Sequence, residues 1–347
     1  MTGTTAYAAL DDRLLVVRGD GDDWTAREHL VGRSLQSVAA SAARPDRAFV
    51  GTVESGVQRT ADGGATWERV APDIDDRVTA VAVSPHDPDT VWAGTEPSVV
   101  YRSRDAGDSW GPLPPLTDLP SESEWSFPPR PHTHHVRWLE PDPHDPERLS
   151  VAIEAGALVR TDDALAAAAA DGVDGAEFWQ DRSAGARYDN HTLATHPDAE
   201  GRVYAAAGDG YAQSEDGGDT WTTPQDGLGH GYVWGIAVPR AEPDTVVVSA
   251  ASGARSAHSV SAAEAYVYRT TNASQDDPTE WGLAMDGLPD PEGTVRSVFA
   301  AAGGSVLFAL NNRGLYRSAD AGASWERVPL AWPDAYEDQT PHGLAAV

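Results

Sequence analysis

The sequence contains no cysteine and no lysine. Without thiols there can be no disulfides, no thiolate nucleophile and no Cys-based zinc or iron–sulfur centre. Basic charge is scarce: 25 arginines face 54 acidic residues, giving a net charge of −29. Phosphate backbones and anionic membrane surfaces need a basic face, so nucleic acid and membrane partners are not expected. Long apolar runs are also missing. No stretch approaches the roughly 18 residues of a transmembrane helix. Before the Asp11-Asp12 pair there is neither a basic segment nor an apolar one, so no signal peptide is expected and the location reads as cytoplasmic.

Asp outnumbers Glu by 36 to 18, and the acidity runs along the whole chain. Such charge keeps a protein soluble at the cost of self-repulsion. Salt relieves the repulsion, because the Debye length falls to about 3 Å at 1 M. The composition therefore reads as that of a halophile. A GC-rich genome, which alone exchanges Lys for Arg, is the other reading.

A short phrase is abundant. It occurs as Thr60–Trp67, Ser103–Trp110, Ser214–Trp221 and Ser318–Trp325, with consensus Ser/Thr-x-Asp-x-Gly-x-Ser/Thr-Trp. Weaker copies end in Trp24, Trp179 and Trp281. The Trp markers at 24, 67, 110, 179, 221, 281 and 325 are separated by 43, 43, 69, 42, 60 and 44 residues. The two long steps hold visible insertions, and the basic period matches the roughly 40–50 residues of a propeller blade. The Ala-rich part of one insertion, 164–170, reads as a short surface helix.

Each unit reads as four short strands punctuated by Gly, Pro and Asp. In the third unit these are Val78–Val83, Thr90–Thr95, Val99–Arg102 and a strand after the turn at Trp110. The chain opens on a second strand, Thr5–Leu10, and closes on a lone inner strand, His342–Val347. Pairing the two closes a ring and removes exposed edges. The expectation is one all-β domain over 1–347: a closed seven-bladed propeller of four-stranded blades whose N- and C-terminal strands share a blade.

The repeated phrase resembles the Asp-box, or BNR repeat, of sialidases, related glycoside hydrolases, sortilin-type receptors and photosystem II assembly factors. The resemblance implies a turn between third and fourth strands, and the residue chemistry agrees. Asp accepts backbone N–H bonds, Gly tolerates positive φ, and Trp covers apolar surface between blades. Repetition around a ring argues against a catalytic role for Asp62, Asp105, Asp216 and Asp320. The Arg-Ile-Pro segment and Arg triad of sialidases are not recognisable here.

The ring topology sorts the loops onto two faces. His86, His144 and His196 fall in bottom turns and read as solvated punctuation. His132, His134, His135, His191, His230, His258 and His342 fall on the top, with the longest loops: 111–134, 180–190, 252–265 and 329–341. With Val81 as reference, the residue two places earlier in each inner strand reads Gln36, Thr79, His135, His191, Trp234, Arg296 and His342. Glu96 and Glu154 share another equivalent position.

Two chemistries fit. His135, His191 and His342, with His132, His134 or His230 also available, could hold a divalent transition metal, Zn or Mn, completed by Gln36 or Glu154. That arrangement is similar to the site of oligogalacturonate lyases. Alternatively Arg296, Trp234, Tyr232 and Tyr188 bind an anionic or glycan-like ligand without metal. Function therefore divides between a ligand-binding propeller, with hydrolase or lyase activity on a sugar or sugar acid, and a non-enzymatic scaffold for a protein partner.

Overall fold

The computed structural model describes residues 3–166, 173–274 and 279–347. Seven antiparallel sheets surround a central channel. Six have four strands; the fifth has three, extended by a bridge between Gln213 and Thr222. The inner strands are Gly343–Ala346, Leu35–Ser41, Arg77–Val83, Val136–Pro141, Asn190–His196, Tyr232–Ala237 and Val298–Ala301. Each packs on the next around the ring. The first blade is closed as expected: Gly343–Ala346 pairs with Thr4–Ala9, and Thr5 and Val347 exchange backbone bonds of 2.8 and 2.9 Å. Of the Ala-rich insertion, Ala164–Ala166 form a turn, and the expected helix otherwise lies outside the described residues.

The Asp-box turns show why the phrase repeats. Asp320 accepts from the Ser318 hydroxyl at 2.8 Å, the Ser324 amide at 2.9 Å and the Ser324 hydroxyl at 2.6 Å. The Ser318 hydroxyl in turn accepts from the Gly322 amide at 2.8 Å. These bonds hold the Asp320 carboxyl down at about 2 against the effect of burial. The same set recurs at Asp62, Asp105 and Asp216. Gly322 has φ +82°, and a Cβ there would lie 2.5 Å from Val247 of the preceding blade, so the turn needs glycine for both conformation and packing.

Blades are also stitched by the arginine that precedes the motif's first Ser or Thr. Arg59 donates to the Ala106 carbonyl at 2.7 Å, Arg160 to Gly217 at 2.7 Å and Arg269 to Ala321 at 2.8 Å. Arg18 reaches Gly63 in the same way, and Arg102 reaches Ala164. Each thus holds a turn of the following blade. The Trp markers add further links. Trp110, Trp179 and Trp281 donate to the carbonyls of Val70, Pro114 and Pro224 in the chain leading out of the previous blade.

The bottom histidines refine the sequence reading: His86 and His144 are exposed as expected, His196 is buried, and all three also make interblade bonds. His86 Nε2 meets the Asp142 carbonyl at 2.9 Å, His144 Nε2 the His196 carbonyl at 3.3 Å, and His196 Nε2 the Pro239 carbonyl at 3.1 Å. Each imidazole spans one blade boundary, a role local sequence cannot reveal.

Candidate functional site

The top of the ring departs from regular pairing. In five inner strands one residue is bulged out of the ladder: Gln36, Thr79, Arg137, His191 and Trp234. A bulge frees a side chain from the alternating pattern and re-aims it. Arg296 and His342, just before the last two inner strands, complete the ring. One position differs from expectation. The fourth-blade member is Arg137, not His135, which lies two residues earlier. Counting back from the Pro-His-Asp turns, with His144 matched to His86, gives the same register. The ring therefore carries two arginines and two histidines.

A cavity of about 580 Å³ opens above this ring. Another of about 410 Å³ continues down the channel. Gln36, Arg137, Trp234 and His342 line both and form the neck between them. Loop 111–134 covers the upper cavity with Phe127–Arg130, and loop 252–265 with the short helix Ala254–His258.

Trp234 is the hub. The guanidinium carbons of Arg296 and Arg137 stand 4.1 and 4.7 Å from its ring centre, while His191 and His258 pack on it at 4.2 and 4.3 Å. Arg296 is 1% exposed. Burial, then Arg137, lowers its pKa to about 9, leaving it cationic at neutral pH. It donates from Nη1 to the Pro341 carbonyl at 2.6 Å and from Nε to His258 Nδ1 at 3.2 Å. Burial and Arg296 push the His258 imidazole down to about 2, so it stays neutral. Since Nδ1 accepts, the proton is on Nε2, which faces the Tyr232 hydroxyl at 3.0 Å. The Tyr232 oxygen accepts that bond, and its own proton is free to donate. Burial and Glu154 hold its pKa well above the usual tyrosine value.

Acidic groups occupy the opposite wall. Glu154 Oε2 lies 3.2 Å from His135 Nε2 and 3.6 Å from Arg137 Nε. Burial would raise this carboxyl, but its hydrogen bond with His135 and the positive charge around it, Arg137 included, outweigh burial and hold it at about 2. Asp189 Oδ1 accepts from the Ala155 amide at 3.1 Å. This anchors Ala155, a non-glycine residue at φ 48°, a conformation that stores strain. The polar atoms left buried without a hydrogen-bond partner include His135 Nδ1, Arg137 Nε, His191 Nε2 and Trp234 Nε1. Such atoms are rare in folded proteins, and a cluster of them at a cavity marks a place for a ligand.

The expected site residues separate into groups. Gln36, His135, Glu154, Tyr232, Trp234, Arg296 and His342 line the upper cavity. His191 packs against Trp234 and is fully buried. Glu96 is held by a bidentate pair with Arg130, both bonds 2.6 Å. Tyr188, half exposed, bonds the Glu124 carbonyl. His134 bonds Ser98 and packs on Trp125, His230 stacks on Tyr266 at 4.1 Å, and His132 is exposed.

The all-histidine metal centre is corrected by this geometry. His342 Nε2 is engaged by Asp11 Oδ1 at 2.7 Å, and His135 by Glu154. Among the described residues, one set of His, Asp or Glu brings three donor atoms within 4.8 Å of one another: Glu154, Asp189 and His191. It contains a single histidine. His132, His134 and His230 join no such set. Arg137, Asp189 and Asp11 were not among the expected site residues. The bulge concealed Arg137, and the two aspartates enter from loops of neighbouring blades.

The sequence matches no family model and no curated protein. It is similar in fold to solved propellers. YCF48 bound to D1 peptide is 17% identical over 89% of this chain and 86% of that one, with a TM-score of 0.57. YCF48 from Cyanidioschyzon merolae is 16% identical over 86% and 85%, with a TM-score of 0.55. An ancestral GH74 enzyme is 16% identical with a TM-score of 0.60, covering 84% of this chain but 38% of the enzyme, so this chain spans well under half of that enzyme's length. At these identities the likeness is one of fold. No helix among the described residues is long and apolar enough to cross a membrane.

Proposed function

We propose that the top mouth binds a small ligand bearing a carboxylate, of sugar-acid size. One observation carries this reading: the Arg296–His258–Tyr232 chain orients its donors in one direction, so the ring presents guanidinium and hydroxyl protons to the cavity. Arg137 adds a second buried cation over the same Trp234 face. Acceptor-rich ligands, above all carboxylates, match such a wall. The cavity volume falls within the roughly 300–1,000 Å³ of small-molecule sites. Trp234 and Tyr232 supply faces for the carbon skeleton. Glu154 and Asp189 stand where a proton could be exchanged with the bound acid, so a lyase or hydrolase is the enzymatic form of this reading.

The test is a thermal-shift and calorimetric panel of hexuronates against the matching neutral hexoses, run with chelator present. Acids should bind and neutral sugars should not, and Arg137→Gln should weaken the acids at least about 10-fold, the loss of one charge-assisted bond. Equal binding of neutral sugars would reject the reading. A second reading, a scaffold whose mouth receives a protein partner, is supported by the peptide held by the similar YCF48 propeller. Capture of a free peptide carboxylate, abolished by amidation, would favour it over sugar acids. We also propose a saline cytoplasm as the setting, supported by the net charge of −29. Raising salt from about 0.1 to 1 M should increase Tm, because the repulsion is screened; a falling Tm would reject it.

A further inference from the structure

His191 presents an unused ring nitrogen at the wall of the mouth. The residue is 0% exposed. Its Nδ1 lies 2.8 Å from the Val233 carbonyl, which can only accept, so Nδ1 bears a proton and Nε2 is the ring atom left for a ligand. That atom has no hydrogen-bond partner. Asp189 Oδ2 faces it at 3.4 Å, and a Glu154 oxygen completes the set within 4.8 Å. Three electron-rich atoms converging on one point repel one another unless a positive charge lies between them.

Two further details point to a metal. Donor atoms around a tetrahedral ion with bonds of about 2.0–2.1 Å stand about 3.3–3.4 Å apart, close to the His191–Asp189 spacing. A metal-bound imidazole also usually donates its other ring N–H to a carbonyl or carboxylate, which fixes the tautomer as here. The neighbouring contacts are compatible with an ion: His135 and Arg137 approach Glu154 at Oε2, at 3.2 and 3.6 Å, and the Ala155 amide takes Asp189 Oδ1, not the Oδ2 that faces His191.

We propose that Glu154, Asp189 and His191 form a divalent-cation site, for Zn or Mn by donor type. Glu154 and Asp189 also line the upper cavity. Three protein ligands with a position open to a cavity is the arrangement of an ion that also takes a ligand atom. The site stands apart from the carboxylate reading, since it can be tested with metal alone.

Protein purified without a histidine tag and stripped with chelator would be titrated with ZnCl2 or MnCl2 by calorimetry, with elemental analysis after gel filtration. One ion per chain and a metal-induced rise in Tm are expected. Asp189→Asn and His191→Gln should each weaken binding at least about 30-fold. Because His191 lies in the core, Glu154→Gln serves as a second ligand variant, with circular dichroism to confirm folding. Asp320→Asn controls for the acidic surface and should leave binding unchanged. Absence of stoichiometric metal at 100-fold excess, or equal binding by folded ligand variants, would overturn the proposal.

Discussion

The two faces of the ring use polar groups in opposite ways. On the bottom, each Asp-box carboxylate and hydroxyl is matched to donors within its own turn, and arginine and histidine bonds lead into the next blade. On the top, bulges break the ladders, two guanidinium groups crowd one indole, and buried nitrogens lack partners. The bottom is built for cohesion, although Trp67 Nε1, Trp325 Nε1 and Arg160 Nε lack partners there too. What sets the top apart is that the unpartnered nitrogens of His135, Arg137 and Trp234 belong to residues lining a cavity, where a ligand can satisfy them.

This contrast is open to attack from either side. The largest effect belongs to the cohesive elements. Trp179 is 1% exposed and donates to Pro114 at 2.8 Å. Trp179→Ala should cost about 3–5 kcal/mol by denaturant unfolding. Next comes the double variant Arg137→Met with Glu154→Gln, which removes both members of a buried ion pair. Ligand affinity should fall at least about 30-fold while stability holds or rises, because replacing a whole buried pair by well-packed uncharged side chains is often neutral or stabilising, whereas removing one partner alone is not. A large stability loss there would erase the proposed division between faces.

Glu140, on the channel wall between the faces, tests whether the channel follows either rule. Its carboxylate accepts from Thr195 twice, at 2.7 and 2.9 Å, and from Trp138 at 2.9 Å. Burial nevertheless pushes it up to about 7. The native state then keeps a proton that the unfolded chain releases near pH 4.5, so this group's contribution to stability falls as pH rises from about 4.5 to 7. Relative to Glu140→Gln, the wild type should lose about 2 kcal/mol across that window. A flat difference would show that the three donors dominate. The smallest effect is expected for His144→Ala, about 0.5–1 kcal/mol for one interblade bond of 3.3 Å.

The fold was legible because one phrase repeats, and each copy's Asp, Gly and Trp serve the same turn. Ring closure followed from the strand types at the two ends. The site was legible only where register could be counted. Gln36, His191 and Trp234 were found because their blades share spacing; Arg137 was hidden because the Pro-rich approach to its strand obscured the bulge. The pairing of His342 with Asp11 joins residues 331 apart in sequence, and Asp189 acts on the hairpin of the preceding blade. Neither leaves a local pattern. The arginine before six of the seven motifs was visible, at Arg18, Arg59, Arg102, Arg160, Arg269 and Arg317, but the partners of the first five lie one repeat away.

That arginine also bears on how such a ring can grow. Five repeats supply a plug, the guanidinium of their third strand, to a socket, the turn carbonyl of the next repeat. A tandem duplication therefore delivers both halves of a new joint in one event, with no second change elsewhere. The fifth repeat, where Gln213 stands in place of the plug, uses other means: Tyr204 donates to the Pro243 carbonyl at 2.7 Å and His196 meets Pro239. A joint inherited ready-made can thus be refitted one repeat at a time while the rest of the hoop stays closed.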